Sequence, residues 1–251
     1  MMKLQGKRAL VTGASAGIGR AIAYAFAQEG AAIAIHYNSS QGPAEELRRE
    51  MEEKFHTKAL CVKANLENDG EIQNMIDTAM QQLGGIDILV CNAGIDQKIS
   101  VTDMTMDDFD RMIRVDLRSV VLCNKLVLPS MLEQGFGRII NVTSQLGQIG
   151  GIDTAAYSAA KAGVIAFTKS LAREVGKRGI NANCIAPGPV DTAMFASNPP
   201  EWIERKLGEL PLGRIGKVNE VAPAAVLLAS DPDGNIFLGQ TLGPNCGDVM
   251  L

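Results

Sequence analysis

Histidine is almost absent from this 251-residue sequence: only His36 and His56 occur. A zinc site draws on several His, Cys or carboxylate ligands at close spacing, so no metal centre is expected. Cysteine is sparse too. Cys61, Cys91, Cys123, Cys184 and Cys246 are odd in number, scattered, and show no C-x-x-C spacing. That pattern excludes a disulfide framework and points to reduced, buried thiols in a cytoplasmic protein. No apolar run approaches the roughly 18 residues that a membrane span needs, so no membrane partner is expected. The net charge is -4 and no Lys/Arg cluster forms a patch, which argues against nucleic acid as a partner. The chain enters its first apolar run within ten residues, leaving no room for a signal peptide. No Pro/Gly/Ser-rich linker and no internal repeat divides it.

What is present is a regular alternation. Hydrophobic residues make up 46% of the chain, enough for a large core in one α/β domain or in two smaller ones, and with no linker to divide it a single domain over residues 1–251 is expected. Short apolar runs predict strands at Ala9–Thr12, Ala32–His36, Ala59–Lys63, Ile86–Cys91, Arg138–Thr143, Ile180–Ala186 and Phe237–Leu242. Between them, helical patterns cover Ile18–Gln28, Ala44–Phe55, Gly70–Leu83, Asp107–Leu132, Thr154–Lys177 and Asn219–Ala229. Continuous apolar strands alternating with amphipathic helices imply an α/β fold: a doubly wound parallel sheet of seven strands with helices on both faces. Ligands then bind beyond the C-terminal strand ends. Residues 191–211 fall outside the alternation. With Phe195, Trp202 and Ile203 they form a candidate lid over substrate.

Two motifs carry chemistry. Ala9–Thr12 is followed by Gly13, Gly17 and Gly19 and then by a helical stretch. Strand, glycine turn and helix N-terminus together suit a dinucleotide pyrophosphate, which the backbone can approach closely and meet with free N–H groups. Far downstream, Ser144 precedes Tyr157 and Lys161, which are spaced i, i+4 among small residues. On a helix that spacing sets a phenol beside an ammonium. A neighbouring cation lowers a phenol's pKa, and a tyrosine tuned this way exchanges protons with an alcohol or carbonyl oxygen.

With these motifs, and with Asn92-Ala93-Gly94, Pro187-Gly188 and Gly239-Gln240-Thr241-Leu242 in order, the sequence resembles the short-chain dehydrogenase/reductase family from Lys7 to about Met250. Within it, the likeness is to 3-oxoacyl-carrier-protein reductases and sugar or polyol dehydrogenases. The resemblance implies a single-domain Rossmann-type oxidoreductase. It would transfer a hydride between a nicotinamide cofactor and a carbonyl or secondary alcohol. It implies Tyr157 as general acid or base. Lys161 would serve the tyrosine and the nicotinamide ribose, and Ser144 the substrate oxygen. Gln145 would join Ser144 and Tyr157 at the substrate. Gly13, Ser15, Gly17, Ile18 and Gly19 would cradle the diphosphate. Tyr37, Asn38 and Ser39 would meet the adenosine ribose or its phosphate, Asn65 and Leu66 the adenine. Asn92, Ala93 and Gly94 would back the ribose, and Pro187, Gly188, Val190 and Thr192 the nicotinamide.

Three positions depart from the family pattern. Asp116 stands where the family usually has an Asn that anchors a relay water near the lysine. Asn65 replaces an Asp at the adenine, and Asn245-Cys246-Gly247 replaces a Gly-Gly pair. After the second strand, His36-Tyr37-Asn38-Ser39-Ser40 carries no carboxylate to select a free ribose 2′-hydroxyl. NADP is therefore favoured, with NAD as the alternative. Gln145, Gln148, Asp96, Gln97 and Asp153 near the expected pocket mouth hint at a polar carbonyl, sugar or polyol. The family pairs the two helices around Val115–Leu132 and Tyr157 across a homodimer or homotetramer. A catalytically weak dinucleotide-binding sensor or scaffold is the alternative to an enzyme.

Overall fold

The computed structural model describes residues 2–250. Its strands are β1 (Arg8–Val11), β2 (Ala32–Tyr37), β3 (Ala59–Lys63), β4 (Ile88–Cys91), β5 (Gly137–Val142), β6 (Ile180–Ile185) and β7 (Thr241–Leu242). All pair in parallel, in the order β3-β2-β1-β4-β5-β6-β7. The central strands are apolar throughout because both faces are covered. Every residue of β4 and of β5 is buried.

On one face lie α1 (Gly17–Gln28), α2 (Gln41–Phe55) and α10 (Val218–Ala229), which bury Ile22, Phe26, Leu47 and Leu228 against the sheet. The other face is covered by α3 (Asp69–Leu83), α5 (Ser119–Gln134) and α7 (Ala155–Val175), through Ile72, Met75, Val127 and Leu171. Chain direction across the sheet reverses between β1 and β4. A doubly wound sheet opens its crevice at that switch point, outside the carboxyl ends of the strands.

Three local differences from the sequence-based expectation matter for the site. The helix expected over Asp107–Leu132 is divided into α4 (Met106–Ile113), a π-helical turn at Arg114–Arg118, and α5. Thr105 and Asp108 close a capping box at the start of α4. The wide turn carries Asp116 inward to full burial. The strand expected over Phe237–Leu242 shrinks to β7. Just before it, Gly239 N donates to Ala182 O and Gln240 O accepts from Cys184 N, but Gly239 takes φ +66°, and at Phe237 the Asn181 and Asn183 side chains donate to the carbonyl in place of the ladder. Finally, short helices form at α6 (Leu146–Ile149), α8 (Ala193–Ala196) and α9 (Pro200–Glu209), none of them legible as sequence periodicity. All five cysteines are free; Cys91, Cys123 and Cys184 are buried, whereas Cys61 and Cys246 are half-buried rather than buried as expected.

Candidate active site

The turn after β1 carries two glycines in the left-handed region, Gly13 at φ +63° and Gly17 at φ +56°. Contact also forbids a side chain at Gly13 and Gly19. A Cβ on Gly13 would lie 2.9 Å from Ala93 Cα, and one on Gly19 would collide with both Asn92 Nδ2 and Gly13 O. The turn is therefore packed directly on the loop after β4. Thr12 makes the joint: its Oγ1 accepts from Asn92 N at 2.9 Å and Ala93 N at 3.0 Å. Asn92 Nδ2 donates back to Thr12 O at 3.0 Å. Ser15 and Ile18 are half-buried at the start of α1, and Thr192 approaches Gly17 from the loop after β6.

Tyr37, at the end of β2, is buried in the cluster under α1 and α2, whereas Asn38 and Ser39 are exposed beyond it. Asn65 Oδ1 accepts from Glu67 N at 3.0 Å, and Leu66 is buried beside it. Arg20, a basic group close to the turn, is taken up by Glu46, Glu50 and Pro43 O of α2.

At the end of β5, Ser144 is buried, and its Oγ accepts from Leu146 N at 3.1 Å. That contact leaves the hydroxyl proton free to donate. Lys161 is buried in α7, 5.5 Å from the Tyr157 ring centre. Its ammonium lies 3.0 Å from Asp116 Oδ2 and 3.5 Å from Val142 O. Asp116 Oδ1 accepts from Ile95 N at 2.8 Å, while Oδ2, with no other hydrogen-bond partner among the described residues, lies beside the ammonium. Gly94 makes room for this pair, since a Cβ there would meet Asp116 Oδ2 at 2.6 Å and Lys161 Nζ at 3.2 Å.

The electrostatics reverse one expectation. Burial pushes the Tyr157 phenol above its ordinary value. Lys161 and Ser144 favour the phenolate, but Asp116 works against them and the net direction is upward. Burial also pulls on the Lys161 ammonium, yet Asp116 and Tyr157 outweigh it and hold the lysine above its ordinary value. The i, i+4 spacing showed the cation. It did not show the buried carboxylate that offsets it.

Gln145 N donates to Pro187 O at 3.1 Å, stitching the serine loop to the loop after β6. The Gln145 amide donates to Asp248, which also takes the Lys206 ammonium at 2.7 Å. Gly188 faces Gln145 Oε1 and Asn245, and Val190 is buried behind it. Cys246, in the segment where the family has glycines, takes φ +59°. Sequence reasoning missed Thr12 and a buried chain beneath the serine strand. In that chain Asn124 Nδ2 donates to Asn141 Oδ1 at 3.1 Å, and Asn141 Nδ2 to Thr168 Oγ1 at 2.9 Å. A groove of about 1130 Å³ between α1 and α10 reaches Gly17 and Thr192 but not Ser144 or Tyr157.

A model of the short chain dehydrogenase family matches residues 7–202. The chain belongs to this family. It is an oxidoreductase with the family's seven-stranded Rossmann-type fold. A 3-oxoacyl-[acyl-carrier-protein] reductase of Synechocystis sp. is 40% identical over 251 residues, covering 100% of both chains. A Vibrio cholerae reductase of the same name is 39% identical over 250 residues, again covering 100% of both. Among solved structures, a short chain dehydrogenase from Burkholderia cenocepacia in complex with NADP superposes with a TM-score of 0.90 at 33% identity, covering 98% of this chain and 99% of that one. A dehydrogenase/reductase from Sinorhizobium meliloti gives 0.92 at 32% identity, covering 99% and 97%.

Proposed function

We propose that this protein reduces a carbonyl group to a secondary alcohol with NADPH, the carbonyl being of the 3-oxoacyl type. Full-length relatives carrying that name and an NADP-bound family structure support the reading. Sugar, polyol and simple ketoester carbonyls are the neighbouring substrate types. The observation that carries the reading is the grouping of Ser144, after β5, with Tyr157 and Lys161 of α7, together with a turn after β1 in which Gly13 and Gly19 leave no room for a Cβ.

The residues fit the cofactor. Gly13, Ser15, Gly17, Ile18 and Gly19 would hold the diphosphate on the bare backbone at the start of α1. Asn38 and Ser39 would meet the 2′-phosphate, with Asn65 and Leu66 at the adenine. Asn92, Ala93 and Gly94 would back the ribose, and Pro187, Gly188, Val190 and Thr192 would wall the nicotinamide. When bound, the reduced nicotinamide supplies the hydride.

The chain supplies the rest. Ser144 donates its free hydroxyl proton to the carbonyl oxygen, where negative charge develops, and so stabilises the transition state. Tyr157 gives that oxygen its proton. A phenol pushed upward by burial stays protonated at neutral pH, which is the form reduction needs. Lys161 stabilises the phenolate left behind, and Asp116 anchors the ammonium and offsets part of its charge. Residues 191–211 act as a lid. Phe195 and Trp202 stack edge to face at 5.9 Å, Lys98 reaches across the Trp202 ring, and Lys206 ties α9 to Asp248.

The free thiols fit a reducing compartment, and we place the protein in the cytoplasm. The outer face of α7 exposes Ala155, Ala159, Ala162 and Ala166, a surface suited to pairing of subunits in a homodimer or homotetramer. No site geometry favours the sensor or scaffold alternative. The test is an assay of 3-oxoacyl thioesters, ketoesters, sugars and polyols with NADPH and NADH. NADPH-dependent reduction of a 3-oxoacyl thioester is expected. Turnover of none of them with either cofactor would overturn the reading.

A further inference from the structure

His36 lies in β2 with 2% of its surface exposed, and both ring nitrogens are engaged. Nδ1 accepts from Gly13 N at 2.9 Å, and Nε2 lies 3.0 Å from Ala64 O. A backbone N–H must donate and a backbone carbonyl must accept, so these partners fix one tautomer: Nε2 carries the proton and Nδ1 is bare. The backbone of His36 adds a third bond, its carbonyl accepting from Ala14 N at 3.0 Å. One residue thus takes up two consecutive N–H groups of the glycine turn. Those groups would otherwise be free to turn toward an anion or water. With them tied back toward β2, the N–H groups of the following residues, at the start of α1, are left to face the diphosphate.

The Nε2 contact reaches the other side. Ala64 immediately precedes Asn65 and Leu66, the residues proposed for the adenine. The imidazole therefore joins the diphosphate turn to the adenine loop across the end of β2. These segments are 23 and 28 residues away in sequence, and no other side chain among the described residues hydrogen-bonds both. The ring itself does not line the crevice; it acts through the two loops.

We infer that His36 is a positioning residue for the dinucleotide, setting the glycine turn and the Ala64–Leu66 loop at the separation that the bound cofactor requires. The inference rests on the proposed cofactor site, so binding and turnover must be read separately. Three variants divide the two contacts. His36→Leu removes both. His36→Asn places an acceptor near the Nδ1 position and cannot reach Ala64. His36→Gln reaches toward Ala64 with its terminal amide and leaves Gly13 N without its acceptor.

NADPH dissociation constants are measured by quenching of protein or nucleotide fluorescence, together with KM for NADPH, KM for the carbonyl substrate, and kcat. His36→Leu should weaken NADPH binding about tenfold or more, leaving kcat at saturating NADPH and KM for the carbonyl within about twofold. His36→Asn should bind NADPH more tightly than His36→Gln, because the turn bears on the diphosphate. If the Leu variant fails to fold, the order of Asn and Gln still decides. Gln binding as tightly as Asn, or a folded Leu variant with NADPH affinity within twofold of the parent, overturns the inference. A parent protein that binds no dinucleotide at all would instead overturn the proposed function.

Discussion

Asp116 Oδ2 lies 3.0 Å from Lys161 Nζ, with both side chains buried. The family usually places a neutral amide at position 116, so this chain has a buried charge pair directly behind its tyrosine. Truncating Asp116 would leave the buried Lys161 charge with neither a counter-charge nor an acceptor and would be strongly destabilising, whereas Asp116→Asn loses the counter-charge but keeps a carbonyl oxygen and the same shape at this position. Asp116→Asn should therefore fold and remain active, with Oδ1 still accepting from Ile95 N. The carboxylate raises the Tyr157 phenol, so its removal should move the ionisation of that phenol downward. Alcohol oxidation needs the phenolate, and its alkaline optimum should shift to lower pH. A pH–rate profile for oxidation checks this, and an unmoved profile would remove Asp116 from the proton chemistry.

Gly94 should tolerate no side chain. A methyl group there would press on the Asp116 carboxylate at 2.6 Å, and neither partner of the buried pair can move without losing the other. Gly94→Ala should cost about 1–3 kcal/mol of stability, the usual range for overpacking, and lower turnover more than Gly84→Ala lowers it. Gly84 caps α3, at φ +82°, and no atom of the described residues beyond its chain neighbours lies within 4 Å of its Cβ position. Urea denaturation and steady-state kinetics on both variants test the contrast.

Cofactor preference should turn on an exposed position. Tyr37 is buried, so a carboxylate introduced there would meet the core rather than the cofactor. Asn38 is exposed at the end of the same strand. Asn38→Asp should disfavour NADP relative to NAD, because a carboxylate repels a 2′-phosphate and accepts from a free 2′-hydroxyl. Like-charge juxtaposition costs several kcal/mol, so the ratio of kcat/KM values should change by about tenfold or more. An unchanged ratio would place the 2′-phosphate elsewhere.

Acid should destabilise the fold through His36. Burial lowers this imidazole from 6.5 to about 4, with no charged side chain acting on it. Between those two values the unfolded chain binds a proton that the folded chain does not. Stability is unaffected by this group above pH 6.5 and falls as pH drops from there toward 4, by roughly 3 kcal/mol in all. Urea midpoints measured over this interval should fall more steeply for the parent than for His36→Asn. Parallel slopes would contradict the burial-driven shift.

The fold was legible because parallel strands covered on both faces leave continuous apolar runs, as Ile88–Cys91 and Gly137–Val142 do. The glycine turn and the Tyr157/Lys161 spacing were legible because both are local. What escaped the sequence is long-range. The direction of the Tyr157 shift depends on burial and on Asp116, which a π-helical turn delivers from a stretch that otherwise looks like uninterrupted helix. The bridge made by His36 joins loops that no periodicity links. Thr12, Asn124 and Asn141 form hydrogen bonds inside apolar segments, where polar residues carry no pattern of their own. Residues before Thr241 read as strand because their composition is apolar, yet the Asn181 and Asn183 amides claim the Phe237 carbonyl and Gly239 takes φ +66°.

The most direct test of the account is Tyr157→Phe, which removes one oxygen and leaves the half-buried ring in place. NADPH affinity and thermal stability should remain close to the parent values, because the glycine turn and the core are untouched. Carbonyl reduction should fall by about 10²–10⁴-fold, the range for a lost general acid. Reduction within a few-fold of the parent, with NADPH still bound, would contradict the assignment of the proton to Tyr157 and with it the mechanism.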